Sequence, residues 1–249
     1  MDDAARLARL LVERQPCVVL TGAGVSTESG IPDFRSPTGI WANFDPLEYG
    51  SIDAFRADPA RVWRFYAPRF SMLVDAEPNA AHLALAALER HGLVQAVVTQ
   101  NIDLLHERAG SREVVEVHGS IRTSTCPVCG VRWPLARVLE LIGEEEGAPH
   151  CPSCGAVLKP DVVFFGELLP ERAIDRAFEL ARGAALLLVV GSSLEVHPVA
   201  GLPRETLAAG GAVAIVNRGP TPYDGRAALK IEGSAAEALG GVAAEVLSS

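Results

Sequence analysis

Cys17-Val18-Val19-Leu20-Thr21-Gly22-Ala23-Gly24-Val25-Ser26-Thr27-Glu28-Ser29-Gly30-Ile31-Pro32-Asp33-Phe34-Arg35 is the stretch from which the rest of this chain is read. Residues 17–20 are apolar and form a short run that suits a buried strand. Gly22 and Gly24 follow at once, where a tight turn lets backbone approach a ligand closely. A strand that runs into a glycine turn, and then into a helix N-terminus, makes a site for a diphosphate. The usual dinucleotide fingerprint has a third glycine where this chain has Thr27. Beyond the glycines, Ile31-Pro32-Asp33-Phe34-Arg35 sets a carboxylate, an aromatic ring and a guanidinium side by side, a combination that a merely solvated loop does not need.

Outward from that stretch, strands and helices alternate. Upstream, Ala4, Leu7, Leu10 and Leu11 share one helical face. Downstream, residues 36–78 carry Trp41, Trp63 and five prolines without a βα rhythm, and they read as a helical insert or flexible lid. Asn79 is a helix N-cap, with Leu83, Leu85 and Leu88 along the helix and His91-Gly92 at its end. Strands are expected at 94–98, 114–117, 162–165, 186–190, 213–216 and 229–231. Helices fit between them, and a last helix starts at Ser234. This order implies an α/β fold, a Rossmann-like, doubly wound and mostly parallel sheet. A smaller domain, made of a zinc ribbon and the helical insert, interrupts it. The expected division is 1–35, 79–118 and 160–249 for the large domain, 36–78 for the insert and 119–159 for the zinc module. Ligands of such sheets bind beyond the carboxyl ends of the strands. The polar clusters 21–35, 99–103, 118–119, 191–193 and 217–218 all fall there.

Cys126-Pro127-Val128-Cys129 and Cys151-Pro152-Ser153-Cys154 are two CxxC knuckles with 21 residues between them. Four thiolates suit a tetrahedral, closed Zn²⁺ site with a structural role. His150 is the alternative fourth ligand, and a redox-active pair is the alternative chemistry. An acidic run, Glu144 to Glu146, lies between the knuckles. Cys17, inside an apolar strand, reads as a buried small residue.

The chain has 249 residues and a net charge of −9. That balance disfavours a nucleic-acid partner, because phosphate contacts need basic surface. No apolar run approaches the roughly 18 residues of a membrane span, and the first residues are too charged for a signal peptide. A cytoplasmic protein is expected, with cysteines used for metal rather than disulfides.

The segment Gly22 to Arg35 resembles the NAD-binding signature of the sirtuins, the NAD-dependent protein lysine deacylases, in its bacterial-type members. Thr99-Gln100-Asn101-Ile102-Asp103, His118-Gly119 and the paired cysteines extend the resemblance over nearly the whole chain. It implies that NAD is a co-substrate, held by Gly22, Ala23, Gly24, Ser26, Asp33, Phe34, Arg35, Gln100, Asn101, Ile102, Asp103, Gly191, Ser192, Ser193, Asn217, Arg218 and Ala235. Within that set it implies that Gln100 meets the ribose, Asn101 orders water and ribose, and Asp103 holds the nicotinamide carboxamide. Phe34 shields the reacting face, and Arg35 meets phosphate. His118, after a buried strand at the ligand edge, is implied as general base beside Asn101. The other histidines, including His82 and His106, lack a distinguishing context. Phe165-Gly166-Glu167 and Leu194-Glu195-Val196 resemble the segments between which an acyl-lysine peptide lies as an added strand. Tyr66 and Arg69 resemble the pair that binds the carboxylate of succinyl- or malonyl-lysine in the desuccinylase branch. Expected partners are therefore acyl-lysine proteins or peptides, with no nucleic acid and no membrane. Protein mono-ADP-ribosylation and a non-catalytic NAD-sensing scaffold are the rival readings. A hydride-transferring dehydrogenase is disfavoured by the incomplete glycine fingerprint.

Overall fold

The computed structural model describes residues 3–144 and 147–247. Glu145 and Glu146 of the acidic run lie outside the described residues. In chain order the elements are α1 (Asp3–Glu13), β1 (Cys17–Thr21), α2 (Pro46–Tyr49), α3 (Ile52–Ala57), α4 (Pro59–Asp75), α5 (Ala80–Arg90) and β2 (Ala96–Thr99). There follow α6 (Leu105–Arg108), β3 (Val114–Glu116), β4 (Gly119–Thr125), β5 (Arg132–Pro134), α7 (Leu135–Glu144) and β6 (Lys159–Val162). The last third holds α8 (Glu171–Gly183), β7 (Leu186–Val190), α9 (Leu202–Ala208), β8 (Ala212–Val216), β9 (Leu229–Ile231) and α10 (Ala235–Leu247).

Six strands form one parallel sheet in the order β3-β2-β1-β7-β8-β9. Every residue of β1 and β7 is buried, which is why both read as unbroken apolar runs rather than as alternation. Their side chains still alternate between faces. Cys17 and Val19 meet Leu7 and Leu11 of α1, Leu85 and Leu88 of α5, and Leu239 and Val242 of α10. Val18 and Leu20 meet the other layer, Ala177 and Leu180 of α8 and Leu202 of α9. Burial pushes the Cys17 thiol up to about 12, so it stays an inert packing group. The chain builds outward from β1 to β3, then returns to pair β7 against β1. The strand order reverses there, and a crevice opens between the loops that leave β1 and β7.

The smaller body is an antiparallel sheet, β5-β4-β6. The strand expected at 162–165 forms earlier, at Lys159–Val162, and pairs with β4. Residues 160–162 thus depart from the large sheet. The insert is less loose than expected. Its helices share one core with the cysteine module, through Phe55, Val62, Trp63, Phe70, Ile121, Val138, Leu158 and Phe164. The Trp63 indole donates to the Leu158 carbonyl at 2.7 Å. The irregular part is confined to residues 31–45, where one turn of 3-10 helix forms at Ile40–Ala42.

Local sequence explains the helix starts. Asn79 caps α5, its side chain accepting from the Ala81 amide at 2.9 Å, while His82 Nδ1 accepts from the Asn79 amide. This is a capping box with histidine in the place usual for Glu. The Asn79 amide group also donates to the Val25 carbonyl at 2.8 Å, so the cap ties α5 to the glycine loop. Of the three leucines along this helix, Leu85 and Leu88 are buried and Leu83 is exposed. Pro68 sits inside α4, which nonetheless runs unbroken over 17 residues.

Candidate active site

Gly22, Gly24 and Gly191 make the floor of the crevice. The Gly22 amide donates to the Val190 carbonyl and the Gly24 amide to the Gly191 carbonyl. A Cβ on Gly22 would lie 2.8 Å from the Gly191 oxygen, and one on Gly24 2.8 Å from the Gly191 Cα. Gly191 has φ +60°, and a Cβ there would sit 2.3 Å from the Val25 nitrogen. Only glycine fits at such contacts. No α-helix follows this loop. Two short 3-10 turns, at Ala23–Val25 and Thr27–Ser29, stand where a helix N-terminus was expected.

Above the floor opens a cavity of about 1120 Å³. It is lined by all of the expected cofactor residues: Gly22, Ala23, Gly24, Ser26, Asp33, Phe34, Arg35, Gln100, Asn101, Ile102, Asp103, Gly191, Ser192, Ser193, Asn217, Arg218 and Ala235. His118, Tyr66, Arg69, Phe165, Gly166, Glu167 and Val196 line the same space. Leu194 does not. Its side chain is packed into the core against α8 and α9, and its backbone has φ 57°.

His118 follows β3. Its Nδ1 lies 3.1 Å from the Gln100 carbonyl. A carbonyl only accepts, so Nδ1 carries the proton and Nε2 keeps its lone pair. Burial lowers the His118 pKa, the Gln100 bond opposes this, and the charge of Arg35 lowers it further. The ring is therefore neutral at pH 7 and ready to take a proton. Asn101 and Asp103 are buried and converge on Ser26. Asn101 Nδ2 donates to Ser26 Oγ at 3.0 Å, and Ser26 Oγ donates to Asp103 Oδ2 at 2.7 Å. Gln100 Nε2 donates to Ser192 Oγ at 2.9 Å and to the Thr21 carbonyl at 3.2 Å, bridging the loops after β1, β2 and β7.

The loop at 31–45 holds itself. Asp33 Oδ1 accepts from the Arg35 and Ser36 amides at 3.1 and 2.8 Å. Phe34 packs on Trp41 with ring centroids 5.5 Å apart. Arg35 Nε lies 3.4 Å from Glu195 Oε2, and Arg218 Nη2 lies 3.6 Å from Glu28 Oε1. At the opposite end, Tyr66 packs edge-on to Phe70 and tilted against Phe164. Burial pushes its phenol far up, against the pull of Arg69, so the phenol keeps its proton. The Arg69 guanidinium lies 3.6 Å from the Phe65 ring centroid and 5.0 Å from that of Phe44. It donates to the Phe65 carbonyl, and desolvation lowers its pKa. Among the described residues no carboxylate pairs with it. Glu167 turns away, accepting from the Phe164 amide at 2.8 Å and pairing with Lys159 at 2.9 Å.

Remote from this cavity, Cys126, Cys129, Cys151 and Cys154 bring their sulfurs within 4.8 Å of one another. A tetrahedral Zn²⁺ with bonds of about 2.3 Å needs sulfurs roughly 3.8 Å apart. The closest pairs, 3.4 Å for Cys126 with Cys154 and 3.6 Å for Cys129 with Cys151, fit that ion. His150 is not part of the group.

Two features escaped sequence reasoning. His82 and His106 are buried behind the cavity with ring centroids 4.8 Å apart. His106 Nε2 meets Thr21 Oγ1 at 2.9 Å, and His82 Nε2 lies 3.4 Å from Ser26 Oγ. They buttress the groups that line the site. The signal for His82 was its place three residues after a helix cap. Gly130 and Gly155 follow the second cysteine of each knuckle at φ 73° and 76°, and each donates its amide back to the carbonyl of the first cysteine. The repeated C-x-x-C-G was visible in the chain.

A sequence model described as Sir2 family matches residues 22–198. An NAD-dependent protein deacetylase of Caldivirga maquilingensis is 46% identical over 246 residues, 99% of this chain and 95% of the relative. An NAD-dependent protein deacylase of Thermococcus kodakarensis is 46% identical, with 93% of this chain and 91% of the relative covered. Among solved structures, Sir2 bound to acetylated peptide superposes with a TM-score of 0.91 at 39% identity, and a Sir2-p53 peptide-NAD+ complex with 0.90 at 40%, each over 100% of both chains. With the glycine floor, the histidine at the ligand edge and the four-cysteine module in one chain, this protein belongs to the Sir2 family.

Proposed function

We infer that this protein is an NAD-dependent protein lysine deacylase, which moves the acyl group of an N-acyl-lysine onto ADP-ribose and releases nicotinamide and free lysine. The observation that carries the reading is one cavity in which a neutral, carbonyl-anchored His118 meets Asn101, Asp103 and a floor that admits only glycine. Relatives named as deacetylases and deacylases, and neighbours solved with acyl peptide or NAD, point the same way. NAD supplies the acyl acceptor and the leaving group. The protein's part is to hold and to deprotonate. His118 Nε2 takes a proton from a ribose hydroxyl. Asn101 and Asp103, locked by Ser26, orient the nicotinamide end. The glycine floor lets the diphosphate approach the backbone closely, and Arg35 receives its charge. Ser192, Ser193, Asn217, Arg218 and Ala235 border the adenosine end. The peptide lies between Phe165-Gly166-Glu167 and Glu195-Val196, recognised mainly through its backbone.

We propose further that acyl groups ending in a carboxylate are accepted beside acetyl. Tyr66 offers a protonated phenol at the cavity wall. Arg69 offers a half-buried cation with no internal counter-ion among the described residues. Cys126, Cys129, Cys151 and Cys154 hold one structural Zn²⁺, whose closed sulfur shell leaves no position for chemistry. The working division is a large domain of 1–35, 79–118 and the C-terminal part from about 163, with the insert and the zinc module forming the smaller body. No described helix is long and apolar enough to cross a membrane, and a cytoplasmic location agrees with the unpaired cysteines. The test is incubation with NAD and acetyl- or succinyl-lysine peptides, followed by mass spectrometry. Nicotinamide and O-acyl-ADP-ribose in equal amounts support the reading. ADP-ribose attached to the acceptor with no loss of acyl mass refutes it.

A further inference from the structure

The guanidinium assigned to the diphosphate is already engaged. Arg35 Nε lies 3.4 Å from Glu195 Oε2, and both residues line the cavity. The carboxylate is aimed. The same oxygen accepts from Ser193 Oγ at 3.2 Å. The residue before it, Leu194, is buried in the core with φ 57°, which pins the turn. Arg35 is fixed from its own side by Asp33, which accepts from its amide. One arginine and one glutamate, from loops 160 residues apart in sequence, thus meet at the lip of the site.

We propose that Glu195 is a positioning residue that holds Arg35 in the place of the cofactor's phosphate, so that binding exchanges a carboxylate for a phosphate on the same guanidinium. The proposal rests on the assignment of Arg35 to the diphosphate. Two effects then act in one direction. A bound diphosphate must displace the Glu195 carboxylate from Arg35, and it must lie near that negative charge. The pair is exposed, with 42% and 59% of the two side chains accessible, so the competition is modest. An exposed pair corresponds to about a two- to fivefold change in affinity. It weakens with salt, because exposed charges are screened. Glu195 therefore makes cofactor affinity lower than Arg35 alone would give, in exchange for a closed, ordered loop in the free protein.

Calorimetric titration of the full chain with ADP-ribose and with adenosine tests this. Glu195→Gln should bind ADP-ribose about two- to fivefold more tightly at low salt. The gain should shrink at high salt and be absent for adenosine, which carries no phosphate. Glu195→Asp should stay near the unmodified protein. The gain should also vanish in an Arg35→Gln background. Unchanged or weaker ADP-ribose binding by Glu195→Gln, while Arg35→Gln alone binds it less well, overturns the proposal and leaves Arg35 on the phosphate. Unchanged binding by Arg35→Gln overturns the assignment of Arg35 itself. A merely structural Glu195 would weaken both ligands together, which also overturns the proposal.

Discussion

Arg69→Met is the substitution that tests acyl selectivity. Methionine keeps the length of the side chain and a favourable sulfur contact with the Phe44 and Phe65 rings, which now flank the guanidinium at 5.0 and 3.6 Å. What is lost is charge. In the free protein one guanidinium nitrogen is engaged by the Phe65 carbonyl. The cation is partly desolvated, and its pKa is lowered for that reason. A succinyl carboxylate relieves that cost and gains a charge-assisted hydrogen bond of about 1.5–3 kcal/mol. At about 1.4 kcal/mol per tenfold, desuccinylation should lose roughly ten- to a hundredfold in kcat/KM. Deacetylation, which presents no charge to Arg69, should change by less than about threefold if only packing is altered. The assay is steady-state deacylation of one peptide sequence carrying either acyl group, at saturating NAD. Pro68 does not disturb the geometry, since α4 is continuous through it and Tyr66 and Arg69 line one cavity. Equal losses on both substrates, or no desuccinylation by the unmodified protein, refute the carboxylate pocket.

Other expectations follow from the same geometry. His118→Ala should lower turnover by about 10²–10⁴-fold with NAD binding largely kept, and near-normal turnover would remove the base assignment. Arg35→Gln takes away a charge that depresses the His118 pKa, so the acid limb of kcat/KM should move to higher pH; a limb that stays put contradicts that coupling. Burial lowers His82 to about 4 and His106 to about 3, against about 6.5 when unfolded. Over that window the unfolded chain binds more protons, so stability should be full above about pH 6.5 and fall as pH drops toward 4 and 3. Equal melting temperatures at pH 7 and pH 5 would speak against it. Cys154→Ser should release zinc and loosen the small body, read by metal analysis and circular dichroism. Because that body shares its core with α3 and α4, the melting transition of the whole chain should shift too.

The two-sided burial of β1 and β7 was legible because a strand covered on both faces has nowhere to place a polar residue. The positions of the polar clusters were legible for the complementary reason, since the sheet ends where its apolar runs end. The cysteine module was legible from ligand spacing, which is a local property. The strand at 159–162 was misplaced by three residues because Val162 to Phe165 is apolar wherever it packs, and the choice between two sheets is made by pairing with β4. The helices expected in 36–78 are present, but their packing was not legible: Trp63 and Phe70 are core residues only when the distant Leu158 and Val138 are there to cover them.

The sequence by itself determined the alternation of strands and helices in the large sheet, the positions of the polar clusters, the family signature and the identity of the residues offered to the site, because each is written in spacing and residue type over short distances. The tertiary structure alone decided which of them meet. It set Gly191 against Gly22 and Gly24, anchored His118 on the Gln100 carbonyl, sent Leu194 into the core rather than toward a ligand, and brought Arg35 to Glu195. Those contacts join loops far apart along the chain. They exist only once the parallel sheet has fixed β1 beside β7, and no local pattern encodes that pairing.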